Sequence, residues 1–551
     1  MTARVEKKKA PIRPVRRDRA WPLRAEWGLA ILLLGVSLTF HFIFLRNVGG
    51  LWRDEVHSVQ MASLPSVSSA FHALRYDSFP LLSTVVLGGW IHAGLGSDQG
   101  LRIFGFLVGA LFLGALWLTS RLMGSPTPVL SLALVGLNPW VIRTVDSVRP
   151  YGIGIALVVA TLGCVWKAVE TPGWKWLALA ALPAVLCVQC MYQNAFLLLA
   201  ICLGGVVVSL RAGRIKKAMG VVLVGLAAAV SLVPYLPSVA AAQSWGILVR
   251  SPITWQRLSD ELFQALAAGR ASTLWLWFGL AVLSLAVGIQ ALVSRKGNPA
   301  ARARADLGLY CAAVLLTAVA VYLVAIKASQ LLTQPWYFAP LAALIAPALD
   351  ASARIASTTD GRRVARLAAV SAVACTTAIP GWQLSRARWT NVDVVAARVG
   401  GQAAAGDAIV LNPFWIGITF QRYYKGPATW VTIPPLEDVH IVRFDLVKAA
   451  MARSNPLDPA LETMAKALQS GHRVFWVQGL AVNENEPPRR LPPAPLPDTG
   501  WYLGPYLFDW ARQASYFLQS HGLRSEIMDT RVAGSALGYE VVVVTIISGW
   551  H

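Results

Sequence analysis

At 551 residues, 56% hydrophobic and only 14% charged, with a mean hydropathy of +0.53, the chain holds more apolar surface than a soluble domain can bury. That composition predicts a polytopic membrane protein whose backbone amides are paired inside helices. The net charge of +21, from 49 basic and 28 acidic residues, would suggest nucleic acid in a soluble chain. Here it reads instead as cytoplasmic loops that hold the topology and touch anionic lipid.

The basic head, residues 1–26, carries Lys7, Lys8, Lys9, Arg13, Arg16, Arg17 and Arg19. The apolar run behind it, 27–46, is too long for a signal-peptide core and no small-residue cleavage site follows. An uncleaved signal anchor is expected. Further apolar runs occupy 79–96, 101–121, 128–143, 151–167, 175–190, 192–210, 218–238, 273–294, 307–326, 334–349 and 366–384. At about 20 residues per bilayer crossing, most are long enough to span.

Basic clusters orient these runs. Arg211, Arg214, Lys216 and Lys217 form one, Arg295, Lys296, Arg302 and Arg304 a second, and Arg354, Arg362, Arg363 and Arg366 a third. With all three cytoplasmic, the 144–150 loop, the acidic pair Asp54-Glu55 and the C-terminal region lie outside. One run before Asp146 must then fail to cross. The 79–96 run, short and beginning near Pro80, is assigned to the outer interface. About 11 true spans remain.

After Trp389 the pattern changes to short β-rich runs between amphipathic stretches. Strands are expected at 408–412, 474–477 and 539–547, and helices near 458–470 and 510–521, which suggests an α/β layer. Residues 487–497 are Pro-rich and read as a surface loop. The fold class expected is a mainly α polytopic membrane protein of about 11–13 transmembrane helices, with a membrane domain at 27–385 and an extracytoplasmic α/β domain at 386–551. All six cysteines fall in apolar segments; even the Cys187-x-x-Cys190 spacing has no His or acid nearby and reads as packing.

Chemistry concentrates in the outer loops. The first reads Leu51-Trp52-Arg53-Asp54-Glu55-Val56-His57 and continues to Arg75-Tyr76-Asp77-Ser78-Phe79-Pro80-Leu81. Leu101-Arg102 then opens a run, Asn138-Pro139-Trp140 closes another, and Asp146-Ser147-Val148-Arg149-Pro150-Tyr151 follows. In order and spacing this series resembles the GT-C superfamily of membrane glycosyltransferases, in the branch of protein mannosyltransferases and aminoarabinose transferases. The resemblance covers the first 155 residues by motif and the remainder by layout. The chain departs from the pattern at Phe79, where the family often has His, and at Leu81, where it often has a second Pro. Asp146 lies three residues before Arg149 instead of two, and Trp336-Tyr337 stands where relatives carry an Arg-Tyr pair.

The resemblance implies an inverting transfer of a sugar from a polyprenyl-phosphate donor to an acceptor hydroxyl on a lipid, glycan or protein. An alcohol is a weak nucleophile at neutral pH, so a carboxylate must take its proton as the bond forms. Asp54 is the candidate base, with Glu55 and Asp146 in the same catalytic group. The leaving phosphate needs a cation or a metal; Arg149, Lys327 and Arg102 are the basic candidates. Asp77, Tyr151, Tyr337 and Arg250 are expected to touch substrate. The outer loop 239–271 would cover the donor, and the α/β domain would cover or shape the site. A divalent cation, Mg or Mn, is an alternative that Asp54 and Asp146 would hold. His57, His72 and His92 read as structural, although His57 sits close to Asp54. Membrane lipids are partners and nucleic acid is not; a bacterial inner membrane is favoured. The competing class, a multi-span transporter or flippase of lipid-linked saccharides, finds no internal hydropathy repeat in the sequence.

Overall fold

The computed structural model describes residues 21–171, 173–293, 298–480, 486–532 and 534–551. The basic head, and Arg295 and Lys296 of the second basic cluster, lie outside the described residues. Among the described residues, nine helices are long and apolar enough to cross a membrane, from Leu23–Asn47 to Asp360–Ser385. Two more apolar helices, Leu82–Leu95 and Trp174–Cys190, are shorter. The expected run at 128–143 does not form one rod: it breaks after a π-helical turn at Leu132–Gly136 and restarts at Pro139. Asn138 causes the restart, since its side chain accepts from the backbone N–H of Trp140 and Val141 while Pro139 occupies the first turn. Asn138-Pro139 therefore opens a short helix, Pro139–Val145, and does not close a span.

The first helix, α1 (Trp21–Asn47), and the last of the bundle, Asp360–Ser385, run side by side in the same direction. Near the start of α1 they are tied by a buried ion pair, Glu26 to Arg366 at 2.7 Å. Both therefore finish at the other end of the bundle, where the second helix, α2 (Arg53–Ala62), begins.

The C-terminal region packs on that end. A sheet of five strands has the order β3 (Thr429–Thr432), β2 (Ala408–Leu411), β4 (Arg473–Val477), β7 (Val544–Trp550), β5 (Gly522–Met528). The first three are parallel and the last two antiparallel to their neighbours. A separate ribbon pairs β1 (Arg388–Thr390) with β6 (Ala536–Glu540). Alternation along the central strands sends Val410, Val474 and Trp476 to one core with Met464 and Trp510, and Ile409, Leu411, Phe475 and Val477 to another with Val395 and Phe420. Helices thus cover both faces, which is what a parallel sheet requires. The expected strand at 539–547 is two strands, β6 and β7, in different sheets. The expected helix near 510–521 starts earlier, at Gly504.

The α/β region grips the loops at that end of the bundle. Tyr423 Oη accepts from Leu51 N–H and donates to Asp98, each at 2.6 Å, and Arg422 pairs with the same Asp98. Lys448 donates to the Ser244 carbonyl, Leu503 N–H to the Leu248 carbonyl, and Phe444 stacks on Trp245 at 5.3 Å. The loop expected to cover the donor is therefore held by this domain.

Candidate active site

Helix α2 carries Asp54 at its second residue and Glu55 at its third, and packing gives the two acids opposite environments. Glu55 is fully buried. Its Oε1 accepts from Arg102 Nη1 at 2.7 Å and Val148 N–H at 3.0 Å; its Oε2 accepts from Arg102 Nη2 at 3.0 Å and Trp52 N–H at 3.3 Å. Four donors fill a carboxylate's acceptor sites. Arg102 is equally committed, with its remaining donors on the Gly49 and Gly50 carbonyls. Glu55, expected in catalysis, and Arg102, expected at the phosphate, are thus each other's partners. The pair joins α2, the 49–50 turn and the 146–149 turn into one rigid unit.

Asp146 also faces inward. It is 2% exposed and its Oδ1 meets His41 Nδ1 of α1 at 2.7 Å. Both are buried, and the structure pairs Asp146, expected in the catalytic group, with His41 inside the bundle. The pair fits only because the crossing helix Asp98–Leu122 offers Gly105 and Gly109: a Cβ at Gly109 would overlap Asp146 Oδ1 and His41 Nδ1. Gly109→Ala is expected to destabilise the protein by about 1–3 kcal/mol through overpacking. Thermal unfolding in detergent checks this, and an unchanged midpoint would contradict the close packing of the dyad.

Asp54 is the acid left facing the site. Arg53 Nε holds its Oδ1 at 2.9 Å, and Arg149 Nη1 pairs with its Oδ2. Burial pushes the Asp54 carboxyl up, but Arg149 and Arg53 together hold it below the ordinary carboxylate range. Asp54 is therefore ionised and able to accept a proton. Arg149 lies over the rings of Phe79 at 5.1 Å and Tyr151 at 5.5 Å, and Tyr337 stands edge-on to Tyr151 at 6.4 Å. Phe79 thus supplies a ring face to the guanidinium. Asp77 adds negative field at Arg149 and lies 3.6 Å from His57 Nε2. The other ring nitrogen, Nδ1, accepts from Val442 N–H of the α/β region, which leaves Nε2 to carry the proton toward Asp77.

The structure thus gathers Asp54, Asp77, Arg149, Tyr151 and Tyr337. Two further candidates are engaged elsewhere. Lys327 donates to the Ile253 carbonyl and lies over Trp255 at 5.5 Å. Arg250 is exposed and bridges Leu331 through the backbone. As for a divalent cation, Asp54 is neutralised by two arginines and Asp146 is turned to His41. Among the described residues no three His, Cys, Asp or Glu converge. The donor set does not fit a metal, and no step below passes through one.

Beside Asp54 stands an aromatic wall built by both parts of the chain. Trp52 stacks on Trp389 at 5.0 Å, and Trp336 meets Tyr539 edge-on at 5.0 Å. Fully buried Arg143 lies 4.3 Å from the Trp389 ring and donates to the Leu384 and Ala387 carbonyls, fixing the start of the α/β region. Sequence reasoning missed His41, Arg143, Trp389, Tyr539 and Glu540. For His41 the signal was a titratable residue inside a span, a costly placement that asks for a partner. The others come from residues distant in sequence and had no local signal.

No family model matches the chain, and no curated protein matches it. Among solved structures, ArnT from Cupriavidus metallidurans bound to undecaprenyl phosphate aligns at 13% identity and a TM-score of 0.45, over 82% of this chain and 93% of that one. The oligosaccharyltransferase of Archaeoglobus fulgidus, tethered to an acceptor peptide, aligns at 12% and 0.46, over 84% and 69%. Arabinofuranosyltransferase AftD from Mycobacteria aligns at 15% and 0.37, over 97% of this chain but 40% of its own. At such identities and TM-scores the likeness assigns no substrate and no site residue.

Proposed function

We propose that this protein is an inverting glycosyltransferase that moves a sugar from a polyprenyl-phosphate donor to an acceptor hydroxyl at the extracytoplasmic face of a bacterial inner membrane. The observation that carries this reading is the Asp54–Arg149 pair: a carboxylate base and a cation suited to a leaving phosphate, held together beside an aromatic wall.

Arg149 neutralises Asp54. An arriving donor phosphate competes for the guanidinium, and the exchange of partners releases the carboxylate. Arg149 suits this better than a lysine would, because a guanidinium binds a phosphate through two parallel N–H bonds. The acceptor hydroxyl then attacks the anomeric carbon as Asp54 takes its proton. The bond from that carbon to the phosphate oxygen breaks, and its electron pair leaves on polyprenyl phosphate, stabilised by Arg149. Attack opposite the leaving group inverts the centre. The lipid tail stays in the bilayer, and the exposed ring of Tyr539 is placed to stack on a sugar.

The reading is tested with purified protein in liposomes given polyprenyl-phosphate pentose, hexose and uronic-acid donors together with envelope acceptors. Release of polyprenyl phosphate matched by glycosylated acceptor supports transfer. Donor carried across the bilayer chemically intact would make the protein a transporter. Within the same reading, Arg149→Gln is expected to weaken polyprenyl-phosphate binding about 10- to 100-fold, the worth of a charge-assisted hydrogen bond. Tryptophan fluorescence titration reads this, and an unchanged affinity would remove Arg149 from the phosphate site.

A further inference from the structure

The start of a helix leaves its first backbone N–H groups without partners inside the helix. At α2, Trp52 contributes no side-chain cap and the Glu55 carboxylate turns back to Trp52 N–H. The N–H of Arg53, the first helical residue, is met from another part of the chain: it donates to Glu540 Oε2 at 3.2 Å. Glu540 ends β6 and is 3% exposed. Its Oε1 accepts from Thr419 Oγ1 at 2.8 Å, and its backbone carbonyl accepts from Asn391 N–H at 3.3 Å. The β1–β6 ribbon sets Glu540 opposite Thr390, immediately after the last helix of the bundle. The Arg53 side chain is held as well, by Asp54 at 2.9 Å and over the Trp415 ring at 5.5 Å.

We propose that Glu540 is a positioning residue: reaching from the α/β domain, its carboxyl group caps α2 and sets the orientation in which that helix presents Asp54. The consequence for turnover rests on the reading of Asp54 as the base; the cap itself does not. The domain is then a working part of the site and not simply its cover.

The groups facing the Glu540 carboxyl are Arg53 of α2, Thr419 of the helix Ile416–Tyr423 and Thr390 of β1, of which only Arg53 is charged. Burial pushes Glu540 up to about 7, against the pull of Arg53. A group raised in this way favours the docked state at low pH and loses that contribution as pH rises through about 7. The neutral acid still accepts from Arg53 N–H through one oxygen and donates from the other to Thr419. A glutamine reproduces both contacts, and an alanine neither.

Hydrogen exchange on the full chain in nanodiscs tests the cap without any substrate. Glu540→Ala is expected to speed exchange at 53–57 about tenfold, the loss of one buried hydrogen bond, while Glu540→Gln keeps the native rate. Corrected for intrinsic exchange, native protection falls as pH rises from about 4.5 to about 7 and is level above that, and that of Glu540→Gln stays level throughout. Native rates at 53–57 in Glu540→Ala overturn the proposal. Should β2 and β4 open in Glu540→Ala, Thr419→Val decides: faster exchange at 53–57 with those strands protected supports the cap, and unchanged exchange refutes it. In turnover, Glu540→Ala lowers kcat while polyprenyl-phosphate affinity stays within about twofold. Equal losses in both would make Glu540 structural only. Because exchange needs no donor, failure of the cap and failure of the Asp54 assignment give different results.

Discussion

Asp54→Asn is expected to slow sugar transfer about a hundred- to ten-thousand-fold, the usual contribution of a positioned general base. The substitution keeps the size of the side chain and removes only its charge and basicity. The surrounding contacts make it selective. Glu55 is saturated by four donors and Asp146 is buried against His41, so neither can replace the lost base. Phosphate affinity should hold or rise, because Arg149 no longer has a carboxylate to leave before it binds the donor. Single-turnover measurements with bound donor separate the two effects. Native turnover in this variant removes the central assignment, and a parallel loss of binding would make Asp54 a scaffold for Arg149.

Glu55→Ala is expected to cost about 3–5 kcal/mol of stability, because it leaves the buried Arg102 guanidinium without its counter-charge. The effect should exceed that of any substitution at Asp54, which is partly exposed and paired at the rim of the site. It should also be partly reversible. Replacing Glu55 and Arg102 together by Leu and Met removes the unpaired charge and should recover part of the loss, although the Trp52 and Val148 N–H groups stay unmet. Thermal unfolding of the three proteins in one detergent reads this cycle. If the single and double variants lose the same stability, the ion pair is not what holds α2 to the helix Asp98–Leu122.

The sequence carried the layout well, because the signals are local. Long apolar runs, basic clusters and the change of pattern after Trp389 follow from composition alone. The mainly α bundle with a C-terminal α/β region was legible from them. It read less well where one residue overrides a run. Asn138 and Pro139 restart a helix inside an apolar stretch, and the run at 539–547 hides a break between two sheets. In the site, the motif series brought Asp54, Arg149 and Tyr151 to attention, but adjacency did not show that Glu55 has partners of its own. Side by side in sequence, the two acids point to different partners because α2 turns successive residues by about a hundred degrees. Glu540 could not be found from sequence at all. It is 487 residues from Arg53, and only the β1–β6 ribbon brings it there.

The most direct test of the account is a density map of the protein in a lipid nanodisc with polyprenyl phosphate added. The account predicts the phosphate on Arg149, with the guanidinium turned from Asp54 and that carboxylate facing an open cavity beside Trp336 and Tyr539. A phosphate bound elsewhere with the Asp54–Arg149 pair intact, or Asp54 lining a continuous path across the membrane, would contradict it.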